Sequence, residues 1–417
     1  MAKVKITGHA SGTGVLTITA PNTSTDRTVT LPDSTGTLLD TTSGLDATKL
    51  SGTLPALNGA SLTGIAGRKN LVINGAMQVA QRSASAVAQA DSSNEGYATL
   101  DRWYLQFASA CPGTVTTSQS TEAPAGFGSS IKLDCTSTGT PVDNSNDYIR
   151  LYQKIEGQNL QSLAWGTSSA KSITLSWYMK STTYTDPISI HFLAFGTPAN
   201  EYYNVSVTPT TSWAKYSITV PGSTSLTLPN TIGSGLSIGF TVAGPATPEH
   251  TQASNSTAWS TTVSNAVTDI GNLVSSTSNI LYITGVQLEL GSVATDFEHK
   301  SYDDELRNCM RYYERFISSG TVETLIGIGY AVSSSRVMGN YQYLVPKRTT
   351  PTGTRSAAGD FDCLRGSWVT ATGFDFIANT LTSRLNFTGM SGLTNNAAAE
   401  IRTAAGTGKW FAFDAEI

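Results

Sequence analysis

The stretch GVQLELGSVATDFEHKSYDDELRNCMRYYERF, residues 285–316, contains the sharpest change of pattern in the sequence. Its first part ends an alternating segment, Asn279–Leu290, in which apolar residues recur mostly at every second position. This period of two indicates a strand with one buried face. Its second part has helical spacing, so the stretch marks a boundary between a β-rich region and a helix.

The helix signal begins at Ser301. Ser301 and Asp304 have the spacing of an N-terminal cap, and the acidic run Asp303–Glu305 places negative charge at the positive end of the helix dipole. The residues that recur on one helical face are Leu306, Met310, Tyr313 and Ile317. We predict one amphipathic linking helix over residues 301–319, with β-structure on both sides of it.

Composition favours a mainly β protein. Charged residues make up only 13% of the 417 residues, and 38 glycines against 15 prolines indicate frequent turns. The net charge of −4 is unlike the basic balance of nucleic-acid-binding proteins, so we expect no nucleic-acid partner. No apolar run has the length of a membrane span, and residues 1–10 lack the apolar core of a signal peptide. We therefore expect no membrane insertion and synthesis in a cytosol.

Residues 1–67 are predicted to form an N-terminal module and stalk. Phe, Trp and Tyr are absent from residues 1–96, although a globular core normally relies on these large side chains. Isolated apolar residues recur between glycines, namely Leu45, Leu50, Leu54, Leu57, Leu62 and Ile65. One copy has too few apolar groups to offset its ordering entropy, whereas three copies around a shared axis could bury them. A disordered linker is the alternative.

Residues 68–300 are predicted to form an antiparallel β-sandwich of the jelly-roll type. Short alternating segments such as Ile149–Ile155, Ile173–Met179 and Leu236–Val242 are separated by turn signals. The polar run Pro245–Asn265 has little periodicity and is predicted to be a long surface loop.

Residues 320–417 are predicted to form a second, smaller β-sandwich. The strand candidates are Leu325–Ala331, Val337–Val345, Val369–Ala378, Thr380–Thr388 and Lys409–Ile417. Gly359–Ser367 is predicted to be a connecting loop.

No motif predicts an enzyme. Gly235–Gly239 matches the G-x-S-x-G of a nucleophile elbow, but it alternates as a strand and no helix follows it. The run Asp303–Glu305 is better explained by helix capping than by catalytic carboxylates. His191 is predicted to point away from the apolar face of its strand. Neither the 4 histidines nor the 4 cysteines have metal-ligand spacing, so we expect no cofactor.

A structural calcium ion stays open as an alternative. The residues that offer oxygen ligands in one loop are Asp143, Asn144, Asn146 and Asp147. Such a cluster is also the ordinary composition of a turn.

Aromatic side chains are the remaining candidate binding groups, because sugars stack on Trp and Tyr faces in concave sites. Most aromatic residues are expected in the core. Trp259, in the polar loop, and Trp368, beside the Arg365-Gly366 turn, are the candidates for exposed rings. Tyr341 and Tyr343 in the C-terminal domain complete the candidate set.

Several segments, taken in order, resemble those of bacteriophage tail-fibre proteins. They are RKNLVINGAMQVAQR at 68–82, YIRLYQKIEGQNLQSL at 148–163, KSITLSWYMKS at 171–181, the stretch 285–316 and the terminal FAFDAEI. The resemblance implies a homotrimeric virion fibre whose N-terminus attaches to other virion proteins. It also implies a jelly roll similar to carbohydrate-binding modules, and distal β-domains that bind a host-surface glycan or protein. A head or collar decoration fibre and a capsule polysaccharide depolymerase stay open as alternatives.

Overall fold

The computed structural model describes residues 69–108, 111–139, 147–244, 251–252, 255–268, 270–318, 320, 322–365 and 367–417. The described residues all belong to one compact unit of the chain. The stretch predicted as N-terminal module and stalk lies outside the described residues, with Leu45, Leu50, Leu54, Leu57, Leu62 and Ile65.

The strands before the helix form two facing sheets and one short parallel pair. They are β1 Val87–Gln89, β2 Tyr104–Ala108, β3 Thr114–Ser120, β4 Ser130–Ser137, β5 Tyr148–Glu156, β6 Ile173–Ser181, β7 Ile188–Ala194, β8 Glu201–Val207, β9 Ala214–Val220, β10 Ser234–Ala243, β11 Thr251–Gln252, β12 Ala266–Val267 and β13 Ile280–Leu290. A six-stranded sheet has the order β1-β3-β4-β13-β6-β9, a five-stranded sheet has the order β2-β5-β10-β7-β8, and the parallel pair is β11 with β12. Every pairing within these two sheets is antiparallel, which confirms the predicted sandwich.

The core of the sandwich lies between the two sheets. Trp177 from β6 and Phe240 from β10 are both fully buried, and their rings meet edge to face at 5.6 Å. The ring of Trp103 also packs on Phe240, with the ring centroids 6.3 Å apart. Burying a side chain as large as Phe contributes about 1.5–3 kcal/mol, so the alternating apolar residues fix which face of each strand turns inward.

The predicted surface loop at 245–265 is held against β8 in its described part. Ser256 donates a backbone hydrogen bond to Asn204, and Tyr202 and Ser260 exchange two, at 2.8 and 3.2 Å. Residues 255–265 are mostly exposed and irregular, as predicted for a surface loop, and these hydrogen bonds hold them against the edge strand.

The predicted helix exists but is shorter than the sequence pattern suggested. Helix α1 spans Tyr302–Met310, and the Ser301 side chain accepts a hydrogen bond from the backbone N–H of Asp304, as the capping pattern predicted. A strand, β14, follows at Tyr313–Ile317 and pairs antiparallel over its whole length with the last strand of the chain. The prediction of helix to residue 319 is wrong, because pairing with a strand about a hundred residues later outweighs local helical spacing.

The buried face of α1 also differs from the predicted one. Glu305 and Cys309 are buried, whereas Leu306 is half-buried. Glu305 accepts a hydrogen bond of 2.6 Å from the backbone N–H of Asn74, which satisfies its buried carboxylate. Cys309 packs in a small apolar cluster with Tyr312 and residues of the segment that precedes the sandwich.

The C-terminal part is a second two-layer β-structure, as predicted. Its further strands are β15 Leu325–Ser333, β16 Arg336–Gln342, β17 Thr352–Arg355, β18 Phe361–Arg365, β19 Ser367–Thr370, β20 Gly373–Ala378, β21 Thr382–Thr388, β22 Ala398–Thr403 and β23 Trp410–Asp414. A seven-stranded sheet has the order β19-β18-β22-β15-β16-β21-β20, and a three-stranded sheet has the order β14-β23-β17. Rings from both layers form its core, including Phe361, Phe374, Phe387, Phe411 and Phe413.

Two local predictions in this region are wrong. The segment predicted as a loop at 359–367 contains β18, which pairs with both β19 and β22. The segment Val369–Ala378, predicted as one strand, belongs to two strands, β19 and β20, that lie at opposite edges of the seven-stranded sheet. Its alternation alone could not reveal the turn between them.

Charged side chains connect the sandwich to the C-terminal part. Arg82 contacts Asp414 at 2.9 Å and lies over the Tyr313 ring. Arg102 binds Glu416 through an ion pair and donates to the backbone carbonyl of Lys154. Across the part of the chain that the structure describes, no helix is both long and apolar enough to cross a membrane.

Candidate functional site

The strongest candidate site is a groove on the outer face of the five-stranded sheet. Strand β5 turns Ile149 and Leu151 into the core. The residues at the alternate positions of this strand, such as Tyr148 and Tyr152, therefore lie on its outer face. The groove has a volume of about 320 Å³. The residues that line it are Gln106, Tyr148, Arg150, Tyr152, Lys154, His191, Leu193, Phe195, Tyr202, Ser237 and Asn265.

Strand pairing brings tyrosines together along one side of this groove. Tyr104 lies opposite Tyr152 in the β2–β5 ladder, and their rings stack with centroids 5.0 Å apart. Tyr97 meets the edge of the Tyr104 ring, also at 5.0 Å. Burial, helped by the hydrogen bond to Glu95, raises the pKa of Tyr104 to about 12, and burial likewise raises the pKa of Tyr152. These phenols are therefore neutral at physiological pH and can both donate and accept hydrogen bonds.

Arg150 forms part of the groove floor. Its Nε donates to Thr241 Oγ1 at 2.9 Å, its Nη2 donates to the carbonyl of Asn265 at 2.7 Å, and it lies over the Tyr148 ring. Burial lowers its pKa, although an arginine stays charged at all physiological pH values. The absence of a side chain at Gly239 makes room for it, because a Cβ there would approach Arg150 Cδ to 2.7 Å.

His191 presents an unpaired hydrogen-bond acceptor to the groove. Its ring is 1% exposed, and its Nδ1 lies 2.8 Å from Asn204 Oδ1. Because the Asn204 amide nitrogen donates to Ser264, its oxygen is the acceptor and His191 Nδ1 carries the proton. Nε2 then has a free lone pair and no protein partner among the described residues. Burial and the charge of Arg150 lower the pKa of His191 well below its usual range, which keeps the ring neutral.

The four aromatic candidates from the sequence lie elsewhere. Trp259 is half-buried and packs on Trp165 and Tyr203, while its indole N–H donates to the Pro221 carbonyl at 2.7 Å. Its role in this structure is to hold its loop against the sandwich. Trp368 is 42% exposed on β19, as predicted for an exposed ring, although the Arg402 guanidinium covers one of its faces.

Tyr341 and Tyr343 are not available as a stacking surface. Tyr343 is only 4% exposed and packs on Phe413. Tyr341 is partly buried, and its hydroxyl donates to Glu314 at 3.0 Å. Their assignment as candidate binding residues is corrected on this ground, because a ring must be exposed to stack on a ligand.

The calcium alternative concerns mostly residues outside the described part. Asp143, Asn144 and Asn146 are not among the described residues, and Asp147 is fully buried. Within the described ranges, no cluster of three or more His, Cys, Asp or Glu side chains is placed to hold a metal ion.

The tyrosine groove was missed by sequence reasoning, although one signal for it was present. In YIRLYQKIE, the apolar residues occupy one phase of the alternation, and Tyr148, Arg150 and Tyr152 occupy the other. Aromatic residues in the outward phase of a strand are unusual for a plain solvent face, and they indicate a surface that binds something.

The sequence matches no protein-family model and no curated protein sequence. Solved structures that it resembles include the enzymatically active domain of tailspike protein 4 of bacteriophage CBA120, at 14% identity and a TM-score of 0.27, over 53% of this chain. The chain spans only 21% of that domain. A family 11 carbohydrate-binding module of a cellulosomal cellulase from Clostridium thermocellum matches at 15% identity and a TM-score of 0.26, over 52% of this chain and 99% of the module.

Proposed function

We propose that this chain is a virion fibre protein of a tailed bacteriophage that binds a host-surface glycan. The observation that carries the glycan proposal is the groove on the five-stranded sheet, with its tyrosine rings and the unpaired Nε2 of His191. The resemblance of the sequence to tail-fibre proteins supports the virion location.

The groove offers the contacts that a sugar requires. The apolar face of a pyranose ring can stack on Tyr202, which is partly exposed, and a sugar hydroxyl can donate to His191 Nε2. The tyrosine hydroxyls and Arg150 supply further polar contacts at the same surface. Each neutral hydrogen bond contributes only about 0.5–1.5 kcal/mol, so one groove binds weakly and reversibly.

Weak sites are sufficient if several act together. We place the chain in a homotrimer whose N-terminal region, residues 1–67, attaches to other virion proteins. Several grooves on one particle then raise the effective concentration at the cell surface, and avidity can exceed the single-site affinity by about 10²–10⁴. The proposed action is binding without covalent chemistry or a cofactor, by a protein made in the cytoplasm of the bacterial host.

The test is binding of the full-length protein to an array of bacterial surface polysaccharides and defined oligosaccharides. For a ligand found in this way, Tyr202→Ala and His191→Leu are each expected to raise Kd by about fivefold to tenfold, because about 1 kcal/mol is lost per contact. Tyr302→Ala is the matched control, since this tyrosine is 53% exposed on α1 and remote from the groove. Unchanged binding in both groove variants, with an unchanged melting temperature, would refute the assignment of the site. Antibody labelling of particles in the electron microscope tests the virion location separately.

A further inference from the structure

The outer face of the seven-stranded C-terminal sheet has an exposed apolar strip along its middle strand. β15 is the fourth of seven strands in the sheet order. Leu325, Ile328 and Tyr330 on this strand are 59%, 76% and 51% exposed, respectively. A solvated face would place polar residues at these outward positions, so a contiguous apolar strip marks an interaction surface.

Opposite charges flank the strip in one row across the sheet. The β15–β22 register places Ile328 beside Glu400. On its other side, Ile328 lines one pocket with Asn340 on β16 and with Arg384 on β21, which is the register partner of Asn340. Arg402, the other flanking cation on the Glu400 side, is already paired with Glu323. The outer ends of the face hold exposed apolar side chains as well, Trp368 at 42% and Ile377 at 53%.

We infer that this face is the interface at which copies of this chain associate, with an axis parallel to β15. An axis in that direction brings the apolar strips of all copies together. It also turns the Glu400 flank of each copy toward the Arg384 flank of the next. An axis perpendicular to the strands would instead place Glu400 opposite Glu400, which costs energy through like-charge repulsion. The face is therefore complementary in charge to itself under this axis, which favours a second copy of this chain as the occupant.

The area of the face suits such an interface. Seven strands spaced about 4.8 Å apart are about 29 Å wide, and strands that average about six residues are about 21 Å long. The resulting face of about 600 Å² is three quarters of the 800 Å² or so that each partner contributes to a standard protein interface. The inference rests on the proposed self-association and supplies the surface that performs it.

The experiment measures the mass of the full-length chain in solution by light scattering coupled to size-exclusion chromatography. The wild type is expected at two or three times the single-chain mass of 43.9 kDa. Ile328→Asp places an unpaired charge in the strip and is expected to lower the mass to that of one chain. Leu344→Asp is the matched control, because Leu344 is 68% exposed but lies outside the sheet, and its mass should equal that of the wild type.

Charge reversal tests the direction of the axis. Glu400→Arg and Arg384→Glu should each weaken association, and the double variant should restore the wild-type mass because the attraction between flanks is re-formed. A monomeric wild type at micromolar concentration would overturn the inference. So would a wild-type assembly that Ile328→Asp leaves intact, in which case the chains associate elsewhere. A dimer that Ile328→Asp dissociates would support the interface while refuting the proposed trimer, and none of these results depends on glycan binding by the groove.

Discussion

Glu156 is the residue whose replacement should most weaken the attachment of the linking helix to the sandwich. It ends β5, it is fully buried, and its carboxylate accepts hydrogen bonds from Arg311 Nε and Nη2, both at 2.8 Å. The hydroxyl of Tyr312 donates to the same carboxylate at 2.6 Å, and so does Gln158. Burial opposes ionisation of Glu156, but these hydrogen bonds outweigh it and lower its pKa.

The expected cost follows from what Glu156→Gln leaves behind. Removing one partner of a buried ion pair typically costs about 3–5 kcal/mol. The Arg311 side chain is 29% exposed, so water can replace part of what it loses, and we expect the lower end, about 3 kcal/mol. Tyr312 is 1% exposed and would face an amide in place of a charged acceptor, which adds to the loss.

The assay is urea denaturation at pH 7, followed by tryptophan fluorescence and circular dichroism. Glu122→Gln serves as the control, because Glu122 pairs with Lys180 at 2.8 Å on the surface and an exposed pair contributes at most about 1 kcal/mol. Adding Arg311→Met and the double variant completes a double-mutant cycle that isolates the pair. If Glu156→Gln destabilises the protein no more than Glu122→Gln does, the attachment does not depend on this network.

Two further predictions concern pH and backbone conformation. Because the pKa of His191 is lowered in the folded state, the unfolded chain binds more protons as the pH falls below 6.5, so stability should fall with pH in wild type and less in His191→Leu. The urea midpoints of both proteins at pH 7.5 and 5 measure this difference. Comparing the two proteins separates the effect of His191 from that of Asp101. Burial raises the pKa of Asp101 to about 7, so Asp101 changes stability with pH in the opposite direction. If the stability of His191→Leu falls with pH as steeply as that of the wild type, the burial of a neutral His191 ring is contradicted. Separately, Gly285→Ala should destabilise by about 1–2 kcal/mol in urea, because its φ is +61° and a Cβ would approach the Phe127 ring to 2.7 Å. Gly128→Ala, where nothing lies within 4 Å, should change stability by less than about 0.5 kcal/mol, and equal effects of the two would show that the conformation at 285 is not strained.

Much of the sandwich could be predicted because burial selects apolar residues at alternate positions. In β10, Leu236, Ile238 and Phe240 are all fully buried, and their spacing in the sequence already indicated a strand. The same physics identified the cap at Ser301, since hydrogen bonding of an N-terminal backbone donor depends on residues three positions apart. Local rules of this kind need no knowledge of the rest of the chain.

Other features depend on partners that are distant in the sequence. The helix ends at Met310 because β14 pairs with β23, and nothing within residues 301–319 encodes the position of Trp410–Asp414. Trp259 lies in a polar segment, yet its indole packs on Trp165, almost a hundred residues earlier. The sequence pattern predicts the exposure of an aromatic ring from the residues next to it in the chain. The exposure is decided by the residues that pack against the ring in space, and these can be far away in the sequence.

The groove shows why binding surfaces on sheets are harder to predict than cores. Burial acts on the inward residues of β5 one at a time, so Ile149 and Leu151 can be recognised singly. An outward residue has meaning only in combination with residues on neighbouring strands, and strand register decides which ones these are. Tyr104 and Tyr152 become stacked neighbours because β2 pairs with β5, and His191 reaches the same groove because β10 lies between β5 and β7. The core alternation fixes that register, since a slip by one residue would turn the outward tyrosines into the core. The chemistry of the outer face is thus positioned by the packing of the inner one.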